Sequence, residues 1–187
     1  MPASVKGSAF LSVQSDVLKA IDQGRLDLEE IDGLTEKDRG LLDSFVTPVS
    51  WIPMASYGRL LDALARAEGG DDPVSYLRNR GRLAGRRLLG GAYQGFAKAS
   101  GSLDLKGVQI VVSVARLLYD FMKWEASALP NGSFEIVVSE AAEFPDVALH
   151  TAEGFLELYG ELTSGKSPHV SSARPSSDRI VISVTPT

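Results

Sequence analysis

The hydrophobic period of this chain changes near residue 133, and that change limits the folds open to it. Before it, apolar residues recur at three- and four-residue spacing, as one face of a helix requires. From Ser133 to Glu140, "SFEIVVSE" sets Phe134, Ile136 and Val138 on one side of an alternating segment, the pattern of a strand with one buried face. "HVSSAR" and "DRIVISVTP" read as two further strands. Between them and the first strand, Pro145 opens a helix with Ala148, Ala152, Phe155, Leu156 and Tyr159 on one side, ending near Thr163. A mostly helical N-terminal part followed by β-α-β-β predicts an α+β fold. N-terminal helices pack on a small antiparallel sheet formed mainly by the C-terminal β-α-β-β unit. With 187 residues, 44% of them hydrophobic, the chain suits a single domain spanning 1–187.

The helical part divides at its caps and breakers. Val5 to Val13 reads as a strand or extended segment. Ser15 and Asp16 then cap a helix carrying Val17, Leu18 and Ile21, which Gly24 ends. Thr35 with Asp38 forms a capping pair before Leu41, Leu42 and Phe45. "TPVSWIP" brackets Trp51 with two prolines in a rigid turn. Tyr57, Leu60, Leu61 and Leu64 stripe the next helix, which stops at Gly69-Gly70. Asp72-Pro73 is an N-cap and first-turn pair for a helix running to about Ala99. Another helix covers roughly Leu105 to Ala126, and "PSSD", with Pro175 first, makes the hairpin turn between the last two strands.

Charge and composition exclude several functions. The net charge is −5 and the pI about 5.1, so nothing draws the chain to nucleic acid or to an anionic membrane. No cysteine is present, which excludes disulfides, thiolate catalysis and thiolate zinc sites and fits a cytoplasmic location. The longest apolar stretch, Val108 to Tyr119, is interrupted by Gln109, Ser113 and Arg116, so no membrane span is expected. The N-terminal residues lack the pattern of a signal peptide.

Residues 160–167, "GELTSGKS", match a phosphate-binding P-loop literally. That loop needs a strand before its first glycine and a helix after its Ser, so that helix N–H groups face the phosphates. Here the order is inverted: Gly160 sits on or just past an apolar helix, and Pro168 pushes Ser167 towards extended backbone. The match reads as a turn at a helix C-terminus, and nucleotide is disfavoured as a cofactor.

Residues 78–98 hold six basic residues and no acid, so the net −5 leaves −11 elsewhere. On a helix, Leu77, Gly81, Ala84, Gly85, Leu88, Gly91, Ala92 and Gly95 fall on one strip, flanked by Arg78, Arg82 and Arg86 and, across from them, Arg80 and Arg87. A glycine inside a helix costs about 0.5–1 kcal/mol relative to alanine. Several together must be offset by close approach of another backbone or of a ligand. Tight helix packing, a subunit interface and a ligand pocket all meet that need. The pocket or interface residues are Gly81, Gly85, Leu88, Ala92 and Phe96 of this helix, with Trp51 and Tyr57 from the segments before it. His150 and His169 are the only histidines, and their spacing forms no metal motif, so no metal site is assigned. No nucleophile elbow, triad or paired carboxylate stands out, and no enzymatic activity is expected.

"VKGSAF", "PVSWIPMASYGRLLDAL", "GRLAG", "ARLLYDFMKW" and the terminal β-α-β-β resemble a myxobacterial paralogous family of about 187 residues. That family is similar to the group holding vinyl-reductase-type small-ligand domains, haem–nitric-oxide sensor domains and transport-particle subunits. The resemblance implies helices on an antiparallel sheet, a homodimer, and an apolar ligand held between helices and sheet. The sensors' Tyr-x-Ser-x-Arg motif is absent, as are cysteines near the C-terminal hairpin, so haem and metal are not carried over. The expectation is a non-enzymatic regulatory or interaction module binding a small apolar ligand. The alternative is a protein-binding scaffold for a partner such as a small GTPase, met through Arg82, Arg86 and Arg87; a cryptic enzyme ranks third.

Overall fold

Residues 2–31, 33–90 and 103–187 are described by the computed structural model, and they form six helices and two small antiparallel sheets. In chain order these are β1 (Ser4–Lys6), α1 (Gly7–Asp22), α2 (Glu36–Asp43), β2 (Trp51–Pro53), α3 (Met54–Glu68) and α4 (Pro73–Gly90). After them come α5 (Leu105–Leu118), β3 (Lys123–Ala128), β4 (Phe134–Ser139), α6 (Asp146–Ser164), β5 (His169–Ser176) and β6 (Arg179–Thr185). The α+β architecture expected from the change of period is the one observed.

The main sheet has the order β3-β4-β6-β5. Its register stacks the alternating apolar residues in rows: Trp124 opposite Val138 and Ile180, Ile136 opposite Ile182, Phe134 opposite Val184. All of them are buried, so one face of the sheet is core and the helices cover it. Between α4 and α6 the backbones touch. A Cβ added to Gly154 would lie 2.6 Å from the Arg78 carbonyl carbon and closer still to its oxygen; one added to Gly81 would lie 2.8 Å from the Thr151 carbonyl carbon. Glycine is required there because the crossing leaves no room for a side chain from either helix.

An arginine–glutamate ladder runs beside this crossing. Arg78 meets Glu153 at 3.0 Å and Glu157 at 3.1 Å, and Arg82 meets Glu161 and, at 4.0 Å, Glu157. Glu153 is only 2% exposed and also receives His150 Nδ1 at 3.0 Å and Ser172 Oγ at 2.5 Å. Burial works to raise its pKa, but the bonds to His150 and Ser172 and the charge of Arg78 outweigh burial and hold the carboxyl below the ordinary range.

The Thr35–Asp38 pair forms a capping box, and Arg59 binds the buried Asp38 at 2.7 and 3.0 Å. Four local expectations change. The strand expected over Val5 to Val13 is only Ser4–Lys6, and the helix expected to start at Ser15 and Asp16 starts at Gly7. There the backbone approaches Thr47, with Val46 Cγ1 3.0 Å from where a Cβ would be, and only glycine fits. The rigid turn around Trp51 contains a short strand, β2, paired with β1 through Val5 and Ile52. The helix expected to reach Ala126 stops at Leu118, and Lys123–Ala128 is a sheet strand instead. Pro175 lies within β5, where the register shifts between Ala173 and Ser176, and the turn itself is Ser177-Asp178. The portion of the α4 helix expected between Gly91 and Ala99 lies outside the described residues.

The "GELTSGKS" segment ends α6. Gly165 takes φ +77° and its N–H bonds to the Glu161 carbonyl at 2.9 Å, a left-handed C-terminal cap. The chain then turns into β5, with Pro168 packed on Gly160. No helix among the described residues is long and apolar enough to cross a membrane.

Candidate functional site

The helices do not close completely on the sheet. A cavity of about 90 Å³ lies between them, and α1, α3, α4, α5, α6, β3 and β4 all contribute to its wall. A buried water needs about 10–15 Å³, so the space has room for a small molecule of several heavy atoms. The wall is mostly apolar: Val13, Leu61, Ala84, Leu88, Val111, Val112, Ala115, Leu118, Ile136, Ala152, Phe155 and Leu156. The small residues of α4 shape one side, since Gly81 and Ala84 leave volume that longer side chains would fill.

A few polar groups interrupt this wall. Arg80 lines it with its side chain 11% exposed, bound to Asp16 Oδ2 at 2.6 Å and lying over the Tyr76 ring. Burial opposes the Arg80 charge, but Asp16 and Tyr76 outweigh it, so the guanidinium stays protonated. Tyr57 is raised above the ordinary phenol range by burial, against the opposing charge of Arg80 and a hydrogen bond with Thr151. Tyr119 is pushed up by burial and by Tyr57 beside it. Both phenols are therefore neutral donors at ordinary pH. Trp124, 4% exposed, stacks on Tyr119 with ring centroids 6.1 Å apart and meets Phe144 edge-on at 6.2 Å.

The residues singled out from the sequence separate into three groups. Tyr57, Gly81 and Leu88 line the cavity, and Gly85 packs beside it against Phe155 and Leu158. Trp51 lies elsewhere, 45% exposed on β2, with the Lys6 ammonium 3.6 Å from its ring centroid. Ala92 and Phe96 lie outside the described residues. Of the arginines considered for a partner, Arg82 is engaged by Glu157 and Glu161 of its own chain, whereas Arg86 and Arg87 are exposed on α4. Sequence reasoning did not select Tyr119 or Trp124, because it placed them inside a helix, and the wall residues of α5 and α6 carry only an ordinary apolar stripe.

No protein-family model and no curated protein matches the sequence. Solved structures match the fold. The Fe(II) unliganded H-NOX protein from K. algicida aligns with a TM-score of 0.62 at 11% identity, over 96% of this chain and 95% of that one. A variant of that protein gives 0.61 at 13% identity, over 96% and 95%. A double variant of the Tt H-NOX domain gives 0.54 at 13%, over 96% and 94%. The chain has the fold of the H-NOX, or haem–nitric oxide sensor, domain.

This likeness corrects one expectation. Haem was set aside because a short motif is missing, but the solved structures that share this fold over about 95% of the chain are H-NOX, haem–nitric oxide sensor, domains, and the exclusion is withdrawn. A motif scan cannot make that exclusion at an identity near 13%, where side chains change while the fold persists. The described lining matches such a group only in part. It offers apolar walls and one arginine, but neither His150 nor His169 belongs to it, and its two phenols are held neutral by burial. Among the described residues no cluster of three metal-binding side chains occurs, and the cavity wall supplies no imidazole or thiolate for an iron.

Proposed function

We propose that this protein is a non-enzymatic sensor or regulatory module that binds a small apolar ligand in the cavity between its helices and its sheet. The observation that carries the reading is the cavity itself. Seven elements of the fold converge on an apolar space bordered by a few polar groups, the composition expected of a small-molecule site. The H-NOX fold supports a ligand-sensing role. Gly81, Leu88 and Tyr57 form part of the wall, and Gly85 sets how closely α4 approaches α6.

Signalling follows from the same geometry. The α4–α6 crossing is a backbone contact without compressible side chains, so a ligand that presses on Ala84 or Ala152 moves one helix against the other as a unit. The exposed Arg86 and Arg87 at the end of α4 lie where such a movement reaches the surface.

The test is thermal melting with a panel of compact apolar molecules that match the cavity in size, and haemin is added as a separate arm because the similar solved structures are H-NOX domains. Binding to the folded state raises the melting temperature by mass action. The expected result is a rise with at least one ligand, lost when Ala152→Phe fills the cavity. If haemin is that ligand, an intense Soret band accompanies the rise. No rise with haemin or with any of the panel refutes the proposal.

A further inference from the structure

The polar side chains of the described cavity wall are those of Ser12, Tyr57, Arg80, Tyr119, Trp124 and Thr151. Four of them are engaged. Arg80 binds Asp16, Tyr57 pairs with Thr151, the Thr151 hydroxyl donates to the Ala148 carbonyl at 2.7 Å, and the Ser12 hydroxyl donates to the Ala9 carbonyl at 3.4 Å. The Trp124 nitrogen has no accessible surface, so a molecule in the cavity does not reach it. Tyr119 remains. Its hydroxyl makes no hydrogen bond among the described residues, and its oxygen, unlike the Trp124 nitrogen, keeps accessible surface. Burial nevertheless dominates the surroundings of the phenol, so that surface belongs to the enclosed space and not to open solvent. The ring is held from two sides, stacked on Trp124 at 6.1 Å and edge-on to Phe144 at 5.2 Å, which fixes where the hydroxyl sits. A buried tyrosine O–H normally finds a partner, and leaving one unmade is costly.

We propose that the molecule bound in this cavity carries a neutral carbonyl oxygen, a ketone or aldehyde on a compact apolar body, and that the Tyr119 hydroxyl donates a hydrogen bond to it. The rest of the wall receives the apolar body, because its side chains are mostly aliphatic or aromatic. A carboxylate is not matched, because Arg80, the cation of the described wall, is already neutralised by Asp16. This assignment rests on the cavity being a ligand site, and the experiment separates the two claims.

The probes are cyclopentanone and methylenecyclopentane, which has the same shape with a CH₂ group in place of the oxygen. Their affinities are measured by calorimetry for the wild type and for Tyr119→Phe, which removes the hydroxyl and keeps the ring. The expected result is that the ratio of ketone to alkene affinity falls about 3- to 10-fold in Tyr119→Phe, the loss of one hydrogen bond. The infrared carbonyl stretch of bound cyclopentanone gives a second readout. It should lie lower in the wild type than for the ketone in an apolar solvent, and this part of the test stands on the wild type alone. An unchanged affinity ratio, or a carbonyl stretch at its apolar-solvent position, overturns the role of Tyr119 while the cavity remains a ligand site. If neither probe binds the wild type but another compact apolar molecule does, the carbonyl claim falls alone. If no molecule binds, both claims fall.

Discussion

Replacing Gly154 by alanine tests the close backbone contact between α4 and α6. The new Cβ would lie 2.6 Å from the carbonyl carbon and 2.8 Å from the Cα of Arg78, where unstrained carbon contacts need about 3.5–4.0 Å. Both neighbours are backbone, so no rotamer change relieves the clash, and α4 and α6 must separate by about 1 Å. Overpacking of this kind costs about 1–3 kcal/mol, and rigid backbone on both sides puts it at the upper end. Alanine returns about 0.5–1 kcal/mol through its better helix propensity. The net expectation is a loss of about 2 kcal/mol. For a chain of 187 residues that lowers the melting temperature by about 4–8 °C. Gly81→Ala strains the same crossing from the other side, against Thr151. The double variant should therefore cost less than the sum of the two, because one separation relieves both clashes. Gly40→Ala is the control: it is helical, exposed and has open space around it, so it should stabilise by about 0.5–1 kcal/mol. Calorimetry on the four proteins decides. A Gly154→Ala protein that melts at or above the wild-type temperature would refute the backbone contact, as would strict additivity with Gly81→Ala.

Three further outcomes follow. Arg78→Met removes the cation facing a buried carboxylate while keeping the aliphatic stem, and should cost about 2–4 kcal/mol in urea unfolding at neutral pH. Glu153 is held below its ordinary pKa in the folded state. Its contribution is therefore complete above the unfolded value of about 4.3 and disappears as pH falls through the folded value, so Glu153→Gln should flatten the acid limb of stability below about pH 5, measured by urea midpoints. An unchanged acid limb would contradict the buried charge. In fluorescence, Trp51→Phe should leave the blue-shifted emission of buried Trp124, and Trp124→Phe the red-shifted emission of half-exposed Trp51; identical spectra would contradict the two placements.

How much of this was legible in the sequence depends on how local each signal is. The Thr35–Asp38 cap, the Phe134, Ile136 and Val138 alternation and the helix end near Thr163 are set by residues within one turn or one strand, and they read directly. The start of α1 did not, because "VKGSAFLSV" lacks a side-chain cap and its helix begins where Gly7 meets Thr47, a residue forty positions away. Strand β3 was hidden because the apolar residues from Val111 to Met122 satisfy a helix and continue into Trp124 without a breaker. The small-residue strip of α4 pointed to close approach, and the partner proved to be Thr151 and Gly154 of α6, which a single helix cannot reveal. The cavity was legible only from its α4 and α3 sides. Its remaining wall exists only once seven elements are brought together. Haem illustrates the converse: a missing motif argued against it, and the fold restores it as a candidate.

The most direct test is native mass spectrometry of gently purified protein, before and after incubation with the panel of compact apolar molecules and, separately, with haemin, for the wild type and Ala152→Phe. The account predicts a noncovalent adduct on the wild-type chain, either retained from purification or formed with an added ligand, and its loss in Ala152→Phe. Only the bare chain mass in every sample, or an adduct that survives filling of the cavity, would contradict it.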